Sequence, residues 1–172
     1  MNIIRPARYD DLAGIAELHV LAARAAYSGL LSPDIISGMT TESRLSLWKN
    51  WFDLPNQQIH VLQDGHPIIG FFRTCAAEDR EQPPKNFGEL THLYVDPQKM
   101  SKGLGHQLFE HAQSLMEEAD FAGMLLWTIE GNERARRFYE SHEMCTDGAR
   151  HNQLEWLGPN VFEIRYVLRF VP

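Results

Sequence analysis

Residues 89–108, ELTHLYVDPQKMSKGLGHQL, constrain the local geometry of this chain more than any other segment. Leu90–Val95 reads as a strand, and Asp96-Pro97 ends it. A short basic loop carrying Gly103-Leu104-Gly105 follows. A helix then begins, with Leu104, Leu108, Ala112, Leu115 and Ala119 on one face. A strand that passes through a glycine-bearing turn into a helix start exposes backbone N–H groups on which a phosphate can sit. The segment therefore predicts a phosphate-bearing cofactor, with a plain tight turn as the competing reading. It has neither the Gly-x-x-x-x-Gly-Lys-Ser/Thr loop of nucleoside triphosphatases nor the Gly-x-Gly-x-x-Gly of dinucleotide-binding folds.

The rest of the chain predicts helices interleaved with strands. Asn2–Ala7 reads as a strand, and Asp10 or Asp11 can cap a helix carrying Leu12, Ile15, Leu18 and Ala22. Pro33–Phe52 gives one or two more helical turns, with Trp48 and Trp51 half-buried. Ile59–Leu62 and Ile68–Cys75 are strands joined through the hairpin signal Asp64-Gly65. Ala77–Phe87 is polar and contains Pro83-Pro84, so it reads as a loop. Met124–Ile129 is a nearly continuous apolar run, as in a strand covered on both faces. Asn132–His142 is a helix, Ala149–Asn160 a loop, and Val161–Phe170 an alternating strand. In that last strand Phe162, Ile164, Tyr166, Leu168 and Phe170 share one face, and Glu163, Arg165 and Arg169 the other. The pattern predicts an α/β (α+β) architecture with a mixed sheet.

At 172 residues the chain can bury a substantial core. Its 44% apolar and 23% charged residues are those of a water-soluble globular protein. A net charge of −7 argues against sequence-independent nucleic-acid binding and mildly favours a cationic partner. The N-terminal residues do not resemble a signal peptide, and no window is apolar enough for a membrane span. Cys75 and Cys145 lack metal-type spacing and read as small, mostly buried residues of a reducing compartment, so a cytoplasmic location is expected. His106 and His111, five residues apart, do not share a helical face as two metal ligands would.

A second motif sharpens the first. Asn132-Glu133-Arg134-Ala135-Arg136-Arg137-Phe138-Tyr139 follows the apolar strand, with Asn132 as a good N-cap and Ala135, Phe138, Tyr139 and His142 on one stripe. Together with Leu93-Tyr94-Val95-Asp96-Pro97 and Gly103-Leu104-Gly105, and with Ile4-Arg5-Pro6-Ala7 near the start, the chain resembles the GNAT superfamily of N-acetyltransferases over essentially its whole length. Met100 departs from the Gln or Arg usual at the start of that family's loop, and Glu143 stands where a glycine usually follows the second motif.

The resemblance implies a GNAT fold over residues 1–172 as a single domain, with a mixed sheet of about six to seven strands and about four flanking helices. It implies acetyl-CoA as cosubstrate. Backbone N–H groups of Met100, Ser101, Lys102, Gly103, Leu104 and Gly105 would bind the pyrophosphate, with Lys99 and Lys102 offsetting its charge. The edge of Leu93, Tyr94 and Val95 would pair with the pantetheine arm, Asn132 would contact that arm or hold the loop, and Ala135 and Phe138 would pack beside it. An amine of pKa near 10 must lose a proton before it can attack a thioester, and a carboxylate can take that proton directly or through a water. Glu89 matches the position of such a base in many members, with His92 as the alternative. Strand alternation puts His92 on the face opposite Glu89 unless a bulge intervenes. Tyr139 matches the family's usual acid toward the thiolate.

The expected function is acetyl transfer to a primary amine, a small molecule or polyamine. Transfer to a protein N-terminus or lysine, and a non-catalytic acyl-CoA sensor, are the alternatives. Tyr27, Trp48 and Trp51 lie in the segment that lines the acceptor pocket in that family, and a homodimer is a family expectation.

Overall fold

The computed structural model describes residues 2–77, 86–152, 158 and 160–170. Seven strands form one mixed sheet: β1 (Asn2–Pro6), β2 (Gln58–Asp64), β3 (Ile68–Ala76), β4 (Phe87–Val95), β5 (Gly123–Ile129), β6 (Cys145–His151) and β7 (Glu163–Arg169). Their order is β1-β2-β3-β4-β5-β7-β6. Every neighbouring pair is antiparallel except β4 and β5. Among the described residues there are five α-helices: α1 (Leu12–Tyr27), α2 (Pro33–Gly38), α3 (Thr41–Phe52), α4 (Leu104–Glu118) and α5 (Glu133–Glu140). This is the predicted mixed-sheet architecture. None of these helices is long and apolar enough to cross a membrane.

The local causes are legible. Arg5 grips Asp11 with two hydrogen bonds of 2.7 and 2.8 Å, and Asp11 accepts from the Arg8 N–H at 2.6 Å. That clamp fixes how β1 turns into α1. Ser32 and Thr40 cap α2 and α3, accepting from Ile35 and Ser43. Gly65, at φ 69°, makes the β2–β3 hairpin. One core lies between the sheet and α4, where Leu108, Phe109, Ala112 and Met116 meet Phe72, Leu90 and Leu126. A second lies on the other face, where Ile15, Ala16 and Trp48 from α1 and α3 meet Val61 and Phe71. The central strands are thus covered on both faces, as the apolar run of β5 predicts.

Four expectations change. Cys145–His151 forms β6, which overlaps the predicted loop Ala149–Asn160. Its sequence, CTDGARH, has little strand propensity and is mostly exposed, because an edge strand needs only the backbone of β7. β4 begins at Phe87 rather than Leu90, and residues 78–85 of the predicted loop lie outside the described residues. Trp48 is fully buried, not half-buried, because α1 and α3 close over it. Cys145 is exposed on β6, whereas Cys75 is buried as expected.

Candidate active site

The parallel neighbours β4 and β5 pair only through Phe87, Gly88 and Glu89, opposite Gly123, Met124 and Leu125. Beyond Glu89 they diverge. β4 from Leu90 to Val95 keeps its partners on β3 but, among the described residues, has no strand on its other side. A cleft of about 730 Å³ opens in the gap. Leu93, Tyr94 and Val95 form one wall of it, with free backbone edge facing the opening.

At one end of the cleft sits the loop between β4 and α4. Ser101 (φ 63°) and Gly103 (φ 76°) are both left-handed, a conformation that recurs in anion-binding nests. Gly103 occupies the N-cap of α4 and offers no side chain to its first turn. The start of the helix therefore keeps unfilled donors and the positive end of its dipole toward the cleft. Met100, Ser101, Gly103, Leu104 and Gly105 all line it. Lys102 is exposed and lies off the wall, and Lys99 sits 3.8 Å from Asp64. Neither lysine side chain forms part of the cleft wall.

The opposite wall is α5. Asn132 accepts from the Ala135 N–H at 3.2 Å, as the N-cap reading predicts, and both line the cleft with Phe138 and Tyr139. A β-carbon on Gly105 would come within 3.3 Å of the Phe138 ring. The two sequence motifs therefore meet in a single close packing contact, in which any side chain at position 105 would push the ring back by a few tenths of an ångström. Glu143, in the turn after α5, holds φ 62°. The backbone keeps the left-handed conformation that a glycine adopts without cost, although the residue is not glycine.

The floor near Glu89 carries a β-bulge. Leu90 pairs with Thr74 and His92 with Arg73, which leaves Thr91 without a partner residue. The bulge reverses the simple alternation. Leu90 points to the α4 core, and Glu89 and His92 both face the α1–α3 side. Glu89 is buried and is not part of the cleft wall, which begins at Leu90. His92 does line the cleft, against Trp51, Trp48 and His19 with ring centroids 4.9, 5.1 and 5.3 Å away.

Thr91 Oγ1 accepts from Arg73 Nη1 and donates toward the Arg73 carbonyl, both at 3.1 Å, and lies 3.0 Å from His92 Nδ1. Burial, with the charges of His19, Arg73 and Arg44, pushes the His92 pKa well below the usual histidine range.

Three tyrosines line the same cleft. Tyr27 and Tyr94 share a hydrogen bond of 2.8 Å between hydroxyls, and burial raises the pKa of both. Burial, and next the nearby Tyr27, also raises that of Tyr139, which stays a neutral O–H across the physiological range. Sequence reasoning missed His106, Trp127, Thr128, Ile129 and Glu163, which also line the cleft. Strand periodicity places Glu163 on a polar face, but no local signal shows that this face borders a gap between two other strands.

Comparison with known proteins agrees with this architecture. The model of the acetyltransferase (GNAT) family matches residues 15–144. The "Probable N-acetyltransferase Rv2775" of Mycobacterium tuberculosis is 26% identical over 168 residues, covering 96% of this chain and 92% of that protein. The PaiA N-acetyltransferase of Thermoplasma acidophilum, solved in complex with coenzyme A, superposes with a TM-score of 0.75 at 18% identity, over 96% of this chain and 98% of that one. The ribosomal-protein-S18-alanine N-acetyltransferase of Escherichia coli gives 0.71 at 18% identity, over 98% and 94%. The chain belongs to the acetyltransferase (GNAT) family and is an N-acetyltransferase by that membership.

Proposed function

We propose that this protein, as one catalytic domain spanning residues 1–172, transfers acetyl from acetyl-CoA to a primary amine by direct attack within a ternary complex. The observation that carries the proposal is the meeting of an unpaired β4 edge with an uncapped helix start in one cleft. Acetyl-CoA supplies an acetyl group activated as a thioester. The nest at Ser101–Gly105 suits a pyrophosphate, and the β4 edge suits an extended amide-bearing arm. Met100 serves through its backbone, since a thioether cannot replace the cation or amide of a Gln or Arg. Asn132, Ala135 and Phe138 shape the facing wall.

Proton bookkeeping assigns the rest. An ammonium acceptor must shed two protons in all, one to the solvent side and one to the departing thiol. Glu89, behind the bulge, takes the first through a water, because its carboxylate lies off the cleft wall. His92 is a poor competitor, since a base pushed far below pH 6.5 holds an amine proton weakly. Tyr139 donates a hydrogen bond to the leaving sulfur. A thiol near pKa 8.5 is more acidic than this raised tyrosine, so Tyr139 stabilises the thiolate without fully ionising, and the second amine proton ends on sulfur. Backbone N–H groups of the bulge and β4 edge polarise the thioester carbonyl.

The acceptor we infer is a small-molecule amine or polyamine, in keeping with the net charge of −7. Thiol release from acetyl-CoA across a panel of polyamines, aminoglycosides, amino acids and peptides tests the reading. Turnover with peptides alone would move the acceptor to a protein amine. Tight coenzyme A binding with no turnover on any amine would leave only an acyl-CoA sensor.

A further inference from the structure

We propose that the imidazole pair His106–His142 is a side-chain phosphate site of the cleft: His106 donates to the pyrophosphate of the coenzyme, and His142 holds that ring in its donating form. The assignment rests on the acetyl-CoA reading above. His106 is the third residue of α4 and lines the cleft beside Ser101, Gly103 and Gly105. A helical side chain leans toward the N-terminus of its helix, so His106 lies over the turn that carries the nest. His142 follows the end of α5. His106 Nδ1 and His142 Nε2 are 2.8 Å apart, a hydrogen bond that joins the α4 side of the cleft to the α5 side. The His142 ring stacks on Phe109 with centroids 4.0 Å apart and meets Phe138 at 4.9 Å, so its position is fixed.

One hydrogen lies between the two nitrogens. In a neutral pair where His106 supplies it, His106 Nε2 is a bare lone pair and repels a phosphate. Where His142 supplies it, His106 carries its proton on Nε2 and can donate. One added proton gives both rings an outward N–H and the pair a positive charge, with the shared bond intact. A second would set two N–H groups against each other. A phosphate therefore selects the forms with Nε2–H on His106, the charged one most strongly. The His106 ring makes no other hydrogen bond among the described residues, so Nε2 is available to a ligand. Burial, and next the His106 charge, lower the pKa of His142, which leaves the added proton to the exposed ring at the cleft. The nest has little side-chain charge of its own: Met100 has none, and Lys99 and Lys102 lie off the wall. Around the pair, Glu110 stands one turn beyond His106 and favours a protonated His142. Arg134 brings a cation to the cleft from α5, and Tyr139 lines it as a neutral phenol. Glu140 takes the Tyr166 hydroxyl at 2.6 Å, and Glu143 follows His142 in the turn.

The test is calorimetric titration of dephospho-coenzyme A, whose pyrophosphate keeps its charge between about pH 6 and pH 8. At about pH 6.5, His106→Ala should weaken binding about tenfold, the size of one charge-assisted hydrogen bond. His106→Gln, which keeps a donor without the charge, should recover part of the loss. Wild-type affinity should rise about tenfold from pH 8 to pH 6, because binding takes up a proton. That rise should vanish in His106→Ala and shrink in His142→Phe, which keeps a ring on Phe109. It should persist in Arg134→Ala, whose cation does not titrate in this range. A measurement on the wild-type protein avoids any folding defect: in the nitrogen NMR spectrum of the complex, His106 should carry hydrogen on Nε2. Equal affinity in wild type and His106→Ala, a wild-type affinity flat across this pH range, or a bare Nε2 on His106 in the complex overturns the assignment and leaves the acetyl-CoA reading standing. No saturable binding of coenzyme A by the wild-type protein would retire both.

Discussion

The hydroxyls of Tyr27 and Tyr94 lie 2.8 Å apart and tie the last turn of α1 to the unpaired end of β4. Both rings line the cleft, and burial keeps both phenols protonated. One hydroxyl donates to the other, so removing either leaves a polar atom in a largely apolar surround. Tyr27→Phe should cost about 1 kcal/mol in urea unfolding, and the double change Tyr27→Phe with Tyr94→Phe should cost less than the two single changes added. Strict additivity would show that the pair contributes nothing.

For Tyr139→Phe, turnover should fall roughly a hundredfold while acetyl-CoA affinity stays within about threefold, as loss of a group acting on the leaving sulfur requires. The raised pKa also fixes a sign. The phenol remains protonated to above about pH 10, so no alkaline limb below that pH belongs to it. An alkaline limb that vanishes in Tyr139→Phe would contradict this.

Glu89→Gln separates the two candidate bases that the bulge brings to one face. If Glu89 takes the amine proton, the kcat/KM profile should lose its acidic limb. A limb that persists near its wild-type position would return the role to His92.

Glu143 carries φ 62° in the turn after α5. A side chain in that region costs about 1–2 kcal/mol, partly offset by the entropy a glycine loses on folding. Glu143→Gly should therefore raise stability by roughly 0.5–1 kcal/mol in denaturant unfolding, with catalysis unaltered. A lower midpoint would mean that the Glu143 side chain supports the turn.

Acid should destabilise the fold through its buried imidazoles. Trp48 Nε1 donates to His19 Nδ1 at 3.1 Å, and burial, with the Arg44 charge, pushes the His19 pKa down to about 3. His60 is pushed down to about 4 by burial and His111. An unfolded histidine titrates near pH 6.5, so between that value and about 3 the unfolded chain binds a proton at position 19 that the native state does not. Stability is then full above about pH 6.5 and falls as the pH drops, by about 1.4 kcal/mol per unit for His19 alone. Urea unfolding at about pH 7 and pH 5.5 should differ by roughly 2–3 kcal/mol from His19 and His60 together, and His19→Phe should remove about half of that slope.

Much of this is local and therefore legible in sequence. A glycine at φ 76° before a helix, an asparagine capping α5 and a hairpin at Gly65 each follow from a few neighbouring residues. So does the strand–turn–helix order that marks a phosphate cradle. The orientation of the two lysines beside that cradle was not legible, because charge says nothing of direction: Lys99 lies 3.8 Å from Asp64 on another strand. β6 was missed because its edge is specified by the backbone of β7 and hardly by its own side chains.

The sequence by itself determined most of the elements, their mixed α/β arrangement and the two motifs that meet at Gly105 and Phe138. The tertiary structure alone decided that β4 and β5 part after Glu89, that one unpaired threonine turns Glu89 and His92 to the same side, and that Glu163 arrives from β7 at the gap they leave. Helix caps and turns are settled by contacts a few residues apart. A cleft is settled by where two strands stop pairing, and that depends on the packing of the whole sheet between its two layers of helices.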